Sequence, residues 1–546
     1  MDKKNIQRME IERIYGKISP FELRNNLIQL ANDENKKSTH TLLDAGRGNP
    51  NWIAASPREA FFAFGEFSVY SAKKTWNDHH LAGTPKKEGI AAEFKKYVQK
   101  HADMCGIDLL IKIINYGIEQ KNFNPDEWIY ELADGIIGDN YPTPMRMLPH
   151  IEIVIQDYLK EEIYSKDFSS KFDSFAVEGA TAGMCYIFDS LIANNLLKSC
   201  DTIAIMTPIF TPYLEIPLIP RYNFNVINIH ASEFSKDSRS NWQYPNEEIE
   251  KLSDPKIKAL FLVNPSNPPS VAMKPESIKM LINIVKKHNP NLMIISDDVY
   301  GTFVDNFKSL VSYLPFNSIG VYSFSKYFGV TGWRLGTISL AKENVFDHLL
   351  NTLPEHEKQL ARRRYEALST NPESIKFIDR IAADSRQVAL NHTAGLSTPQ
   401  QVQMAFFAIF SLLDKEHSYK ELIQNICRRR KKLLFQSLGL DLIEDPYSAS
   451  YYTEFDILEL SKTFYGDEFT RYLENNYEPV EILFSLAEKS SIVLLSGAGF
   501  KGTKWSIRIS LSNLNDEDYT TIGKVIHNIL EDYMKKWEEV KQTGLP

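Results

Sequence analysis

The chain is poor in cysteine: among 546 residues there are four, Cys105, Cys185, Cys200 and Cys427, far apart and without a C-x-x-C pair. That spacing offers no disulfide framework and no thiolate metal site, and it fits a reducing compartment. The twelve histidines form no ligand-spaced cluster beyond the adjacent His79 and His80, so no metal centre is expected. Positive charge is not in excess either. Lys and Arg number 62 against 70 Asp and Glu, for a net charge of -8, which argues against a nucleic-acid polyanion as principal ligand. No separate basic helix-turn-helix segment stands out, so a DNA-binding regulator is not expected. Long apolar runs are missing: the opening "MDKKNIQRMEIERIYGKISP" has no signal-like core, and no later segment reads as a bilayer span. A cytoplasmic protein is predicted.

What is present is length and an ordinary globular composition, 43% hydrophobic and 24% charged. So many residues exceed one core, and two or more domains are expected. Residues 57–135 are mainly helical in pattern. From about Phe175 the texture changes to short runs rich in β-branched residues: "SFAV", "TIAIM", "FNVINI", "KALFLV", "LMIIS", "SIGVYSF" and "WRLGTISL". Longer amphipathic stretches separate most of them, the pattern of an α/β layer with a largely parallel sheet. The last two runs are joined by a tight connection, which predicts one antiparallel strand. Residues 341–395 turn helical again, and the remainder reads as a smaller α+β domain. The expected division is an N-terminal arm with part of the small domain over 1–60, a large domain with helical insertions over 61–395, and the small domain over 396–546.

Open α/β sheets bind ligands beyond the carboxyl ends of their strands, so the residues following each run matter. "EGATAGM" follows the first, placing Ala180 and Thr181 at a helix start where free N–H groups suit a phosphate. Alone, such a turn is more often structural. "TPIFTPY" puts Phe210 where a flat ring could cover a ligand, although a packed core Phe is the commoner case. "NPSNPPS" exposes the amide of Asn267 between prolines. "DDVY" places Asp297 directly after a strand and Tyr300 three residues on. In "SFSKYFGVTGWRLG", Lys326 sits among Ser323, Ser325 and Arg334. Each has a bland alternative: a turn-capping Asn, an N-capping Asp, a surface Lys. Together they supply what pyridoxal 5′-phosphate requires: a phosphate cradle, a carboxylate for the pyridine nitrogen, and an amine for its aldehyde.

The lysine segment and the ordered motifs around it resemble the class I/II aminotransferases, a family of fold-type-I pyridoxal-phosphate enzymes. The resemblance runs from about "DAGRGNP" onward. It implies a mostly parallel seven-stranded sheet and Lys326 as the cofactor-bonding, proton-moving lysine. Ala180, Thr181, Ser323, Ser325 and Arg334 match the phosphate ligands, and Asp297 the partner of the pyridine nitrogen. Tyr300 and Asn267 match the donors to the phenolic oxygen, and Phe210 the stacked ring. Tyr141, in "DNYPTP", matches a tyrosine that reaches the phosphate of a neighbouring subunit, so a homodimer at least is implied. Arg508, in "KWSIRISL", matches the α-carboxylate arginine, with Asn267 beside the substrate; its bland reading is an exposed strand arginine.

Length and one absence bear on the reaction. The chain is longer than an ordinary aminotransferase, and "GRGNPNW" places Arg47 and Gly48 near the expected substrate position. Where aspartate aminotransferases carry an arginine for the distal carboxylate, the comparable stretch "NHTAGLSTPQQ" has its matching position near Thr393. The overall pattern is similar to the aspartate 4-decarboxylase branch, which converts L-aspartate to L-alanine and CO2. That resemblance implies a large homo-oligomer, a dodecamer built from dimers, and side transaminase activity. A departing carboxylate held by a strong ion pair would be stabilised in the ground state. The nearest alternative is an aspartate or broad-specificity aminotransferase. A remote one is a serine hydrolase, since Ser323 and Lys326 spell S-x-x-K, but its S-D-N and K-T-G companions are missing.

Overall fold

The computed structural model describes residues 12–16, 18–35, 41–142, 145–233, 241–388 and 395–543. All seven β-rich runs enter one sheet: β1 (Phe172–Val177), β2 (Thr202–Thr207), β3 (Asn225–His230), β4 (Ile257–Val263), β5 (Met293–Asp297), β6 (Ser318–Ser323) and β7 (Gly336–Ala341). Their spatial order is β1-β7-β6-β5-β4-β2-β3. The pairs from β3 across to β6 are parallel, while β7 runs antiparallel to both β1 and β6. The tight connection expected between the last two runs therefore makes the single reversed strand.

Every residue of β1, β5, β6 and β7 is buried, as a sheet covered on both faces demands. Alternation sends Ile203 and Ile205 into one core, and Ala204 and Met206 into the core on the opposite face. The helical stretch before the sheet forms Ala55–Thr75, Ile90–Lys100, Ile107–Asn115 and Pro125–Ile137. Phe64, Phe67 and Trp128 from these helices join the larger core. Helix Thr398–Leu413 lies beyond the boundary expected near 395, and it too gives Val402, Phe406 and Ile409 to that core.

A second core gathers around a three-stranded antiparallel sheet of β8 (Tyr452–Asp456), β9 (Leu495–Ser496) and β10 (Ser506–Ser510), in the order β8-β10-β9. Leu23, Leu27 and Ala31 of helix Pro20–Asn35 pack into it beside Phe469, Leu483 and Tyr519. Leu43–Asp44 pairs in parallel with Ile492–Val493. The N-terminal segment is thus built into the C-terminal layer. Among the described residues no helix is long and apolar enough to cross a membrane.

Register places the chemistry. Val263 pairs with Asp297, and Asp297 with Val321. Ser323 pairs with Gly336, and Gly336 with Val177. The carboxyl ends of β1, β4, β5 and β6 therefore come level, and the polar segments after them share one side of the sheet.

Candidate active site

The turn after β1 is pressed against β7. A Cβ on Gly336 would lie 2.7 Å from Gly179 Cα, so only glycine at 336 lets the turn approach. Gly179 itself adopts φ 86 and precedes helix Ala180–Ala193. A Cβ there would stand 2.6 Å from Arg334 Nη2, which locates the guanidinium over the turn. Ser323 Oγ donates to Ser325 Oγ at 2.9 Å, both buried. Ala180, Thr181, Ser323, Ser325 and Arg334 line one cavity of about 450 Å³. A helix N-terminus, hydroxyls and a guanidinium together suit a dianion.

Asp297 ends β5 inside the same cavity. Its carboxylate accepts from Tyr213 Oη at 2.6 Å and from the Val299 N–H at 3.2 Å. Burial pushes its pKa up to about 6, against the pull of Tyr213, the Val299 N–H and the Lys326 charge. A cationic ring nitrogen alongside would reverse that cost. Phe210 lies edge-on to Tyr213, with ring centroids 5.5 Å apart. The Tyr300 hydroxyl accepts from Asn267 Nδ2 at 3.4 Å and donates to Tyr452 Oη at 3.2 Å.

Lys326 Nζ donates to the Gly48 carbonyl at 3.0 Å. Its pKa is lowered chiefly by burial, and further by Arg508 and Arg334, with Tyr452 and Asp297 opposing. Such an amine is drawn toward its neutral, nucleophilic form.

Arg508 projects from β10 and is 1% exposed. The rings of Tyr452, Phe500 and Phe21 surround its guanidinium at 4.4, 5.0 and 5.9 Å. Nη1 donates to Asn267 Oδ1 at 3.3 Å and Nη2 to the Gly46 carbonyl at 2.7 Å. Nε is buried without a hydrogen-bond partner. A buried guanidinium N–H without a partner, inside an aromatic box, is chemically suited to a carboxylate.

Residues 181–526 match the family model described as aminotransferase class I and II. The chain belongs to that family. Over 535 residues it is 43% identical to the bifunctional aspartate aminotransferase and L-aspartate beta-decarboxylase of Pseudomonas sp, covering 97% of this chain and 99% of that one. An aspartate aminotransferase of Pyrococcus horikoshii is 28% identical over 233 residues, 41% of this chain and 55% of its own. Among solved structures, the aspartate aminotransferase of Thermotoga maritima superposes with a TM-score of 0.56 at 17% identity, covering 97% of this chain and all (100%) of that one. At that identity the likeness speaks for the fold, which is fold type I. The family is pyridoxal-phosphate dependent.

Of the residues singled out in the sequence, Ala180, Thr181, Phe210, Asn267, Asp297, Tyr300, Ser323, Ser325, Lys326, Arg334, Arg508 and Gly48 meet around this one cavity. Two do not. Arg47 is exposed, with Gly48 and Asn49 lining the cavity instead. Tyr141 is 72% exposed and lies off the lining. Thr393 lies outside the described residues. Sequence reading missed Tyr213, Phe21 and Tyr452. Tyr213 follows Phe210 in "TPIFTPY" at helical spacing, a signal that was there to find; "SASYYTEFD" carried none beyond a strand-like alternation.

Proposed function

We propose that the protein catalyses β-decarboxylation of L-aspartate to L-alanine and CO2, with aspartate transamination as a side reaction. The carrying observation is a count of cations. Among the described residues lining the cavity, these are Lys326, Arg334 and Arg508. With Arg334 assigned to phosphate, Arg508 to the α-carboxylate and Lys326 to the aldehyde, none of these lining cations among the described residues is left to grip the β-carboxylate. An unclamped carboxylate is free to leave as neutral CO2, whereas a clamped one would be stabilised before the transition state. The near full-length likeness to a bifunctional aspartate enzyme supports the same substrate.

The cavity suits the cofactor by its own chemistry: a dianion cradle, a buried carboxylate, a phenol with an amide, and an amine. The first turn of helix Ala180–Ala193, Thr181, Ser323, Ser325 and Arg334 would hold the phosphate, with Asp297 at the ring nitrogen. Tyr300 and Asn267 would hold the phenolic oxygen, Phe210 the ring face, and Lys326 the aldehyde. When bound, pyridoxal phosphate supplies an electron sink for bonds at Cα and, one atom further, at Cβ.

Lys326 would move the proton at Cα, and its lowered pKa favours the neutral base this needs. Asp297 keeps the ring nitrogen protonated. Arg508 fixes the substrate by its α-carboxylate, and the aromatic box excludes water from that pair.

The second reading, a plain aspartate aminotransferase, is separated by supplying aspartate without any keto acid. Sustained, stoichiometric alanine and CO2 support the decarboxylase. A single half-turnover supports the transaminase.

The proposal extends to a homodimer in which the exposed Tyr141 ring serves the neighbouring phosphate site, and to a larger homo-oligomer, a dodecamer, built from such dimers. Native mass measurement tests it, a dimer alone counting against the larger assembly. The two hydrophobic cores support a division into a large cofactor domain and a small domain that includes the N-terminal helix. Four free cysteines support a cytoplasmic location.

A further inference from the structure

Tyr452 stands where four groups of the site meet. Its hydroxyl accepts from Tyr300 at 3.2 Å. Its ring lies 4.4 Å from the Arg508 guanidinium. A Cβ on Gly48 would come within 2.4 Å of the same hydroxyl, so glycine at 48 is what makes room for the phenol. Lys326 shares the cavity wall with it. The ring is 2% exposed, and its place is set by the backbone. Tyr452 pairs with Ser510 in β8, and its N–H donates to Ser270 Oγ at 3.3 Å. The neighbouring Tyr451 N–H donates to that same oxygen at 3.1 Å. One serine of the large domain therefore pins the strand that carries the phenol.

Two physical consequences follow. A phenol has a single proton to give, so the proton Tyr300 directs at Tyr452 is withheld from any other acceptor. A guanidinium against an aromatic face is held electrostatically, more strongly where both are out of water. Tyr452 thus touches both the group matched to the cofactor's phenolic oxygen and the group matched to the substrate carboxylate.

We propose that Tyr452 is a positioning residue linking these two ends of the site. Its ring orients Arg508 for the substrate carboxylate, and its hydroxyl competes with the cofactor for the Tyr300 proton. The inference rests on the cofactor and substrate reading given above and adds a residue to it.

The test uses the cofactor-loaded protein and two variants, Tyr452→Phe and Tyr452→Leu. Thermal unfolding, the pH midpoint of the cofactor's visible absorbance, and KM and kcat for aspartate are recorded for each. Phe keeps the ring and removes the competing acceptor. The Tyr300 proton is then committed to the phenolic oxygen, which stabilises that oxygen's anionic form. The midpoint is expected to fall by about 0.5 pH unit or more, with KM within about twofold of the parent. Leu removes the ring as well, and KM is expected to rise about fivefold or more, with kcat moving less. A Phe variant that unfolds like the parent and keeps the parent midpoint overturns the proposal. So does a folded Leu variant with the parent KM. Should the Leu variant not fold, the Phe midpoint alone decides. A parent protein that gains no visible band with pyridoxal phosphate would instead reject the cofactor reading, which separates the two failures.

Discussion

Arg508 and Asn267 meet at 3.3 Å, guanidinium Nη1 to amide Oδ1, across 241 residues of chain. The contact joins β10 of the small sheet to the loop after β4 of the large one. Asn267 also donates to Tyr300 at 3.4 Å. Arg508 and Tyr300, which both line the proposed site, are therefore braced by one buried amide.

In the proposed scheme, Lys326→Ala removes both the amine for the cofactor aldehyde and the base for Cα. Turnover of aspartate is expected to fall roughly 1,000-fold or more, and the visible band of the bound cofactor to disappear. Absorbance and product analysis check both. Unchanged turnover would end the scheme.

Arg508→Ala leaves Asn267 and the Gly46 carbonyl without their donor and, in the proposed role, the substrate without its anchor. KM for aspartate is expected to rise about 10- to 100-fold, as initial rates will show. Arg508→Lys recovers part of this, because an ammonium restores charge without the paired donors. A KM equal to the parent's in both variants would remove Arg508 from substrate binding.

Gly336→Ala puts a methyl 2.7 Å from Gly179 Cα. Backbone cannot yield as a side chain can, so the phosphate turn must shift. Affinity for pyridoxal phosphate is expected to weaken about tenfold or more, measured by absorbance titration, while Gly332→Ala, where a Cβ meets nothing within 4 Å, serves as control.

Asp298, next to Asp297, is 1% exposed and accepts from Ser296 at 2.7 Å and Ser309 at 2.5 Å. Burial pushes its pKa up to about 8. The native protein then keeps a proton that the unfolded chain releases above its ordinary value of 3.8. Stability must fall as pH rises between those limits and level off above the upper one. Asp297 and Glu454, raised to about 6 and about 8, act with the same sign. In cofactor-free protein, Asp298→Asn is expected to flatten the decline of Tm from about pH 4 to 8. An identical slope in the variant would show that Asp298 does not titrate there.

Much of the sheet was legible in the sequence because parallel strands covered on both faces leave unbroken apolar runs. The polar segments after them were legible for a related reason: a strand end and the turn that follows are neighbours in the chain. That is how Asp297, Tyr300, Ser323, Lys326 and Arg334 could be named. The aromatic box around Arg508 could not be. Phe21, Tyr452 and Phe500 come from three separate regions, and nothing local marks any of them. Arg47 was expected near the substrate from its loop, yet it is the glycine beside it that faces the cavity.

The sequence by itself determined which residue types end which strands, since a repeat of two along a strand and the turn after it are local properties of the chain. Only the tertiary structure decided the electrostatics. Asp297 is raised and Lys326 lowered because other segments remove water from them. Desolvation belongs to the packed assembly of segments, and no stretch of sequence contains it.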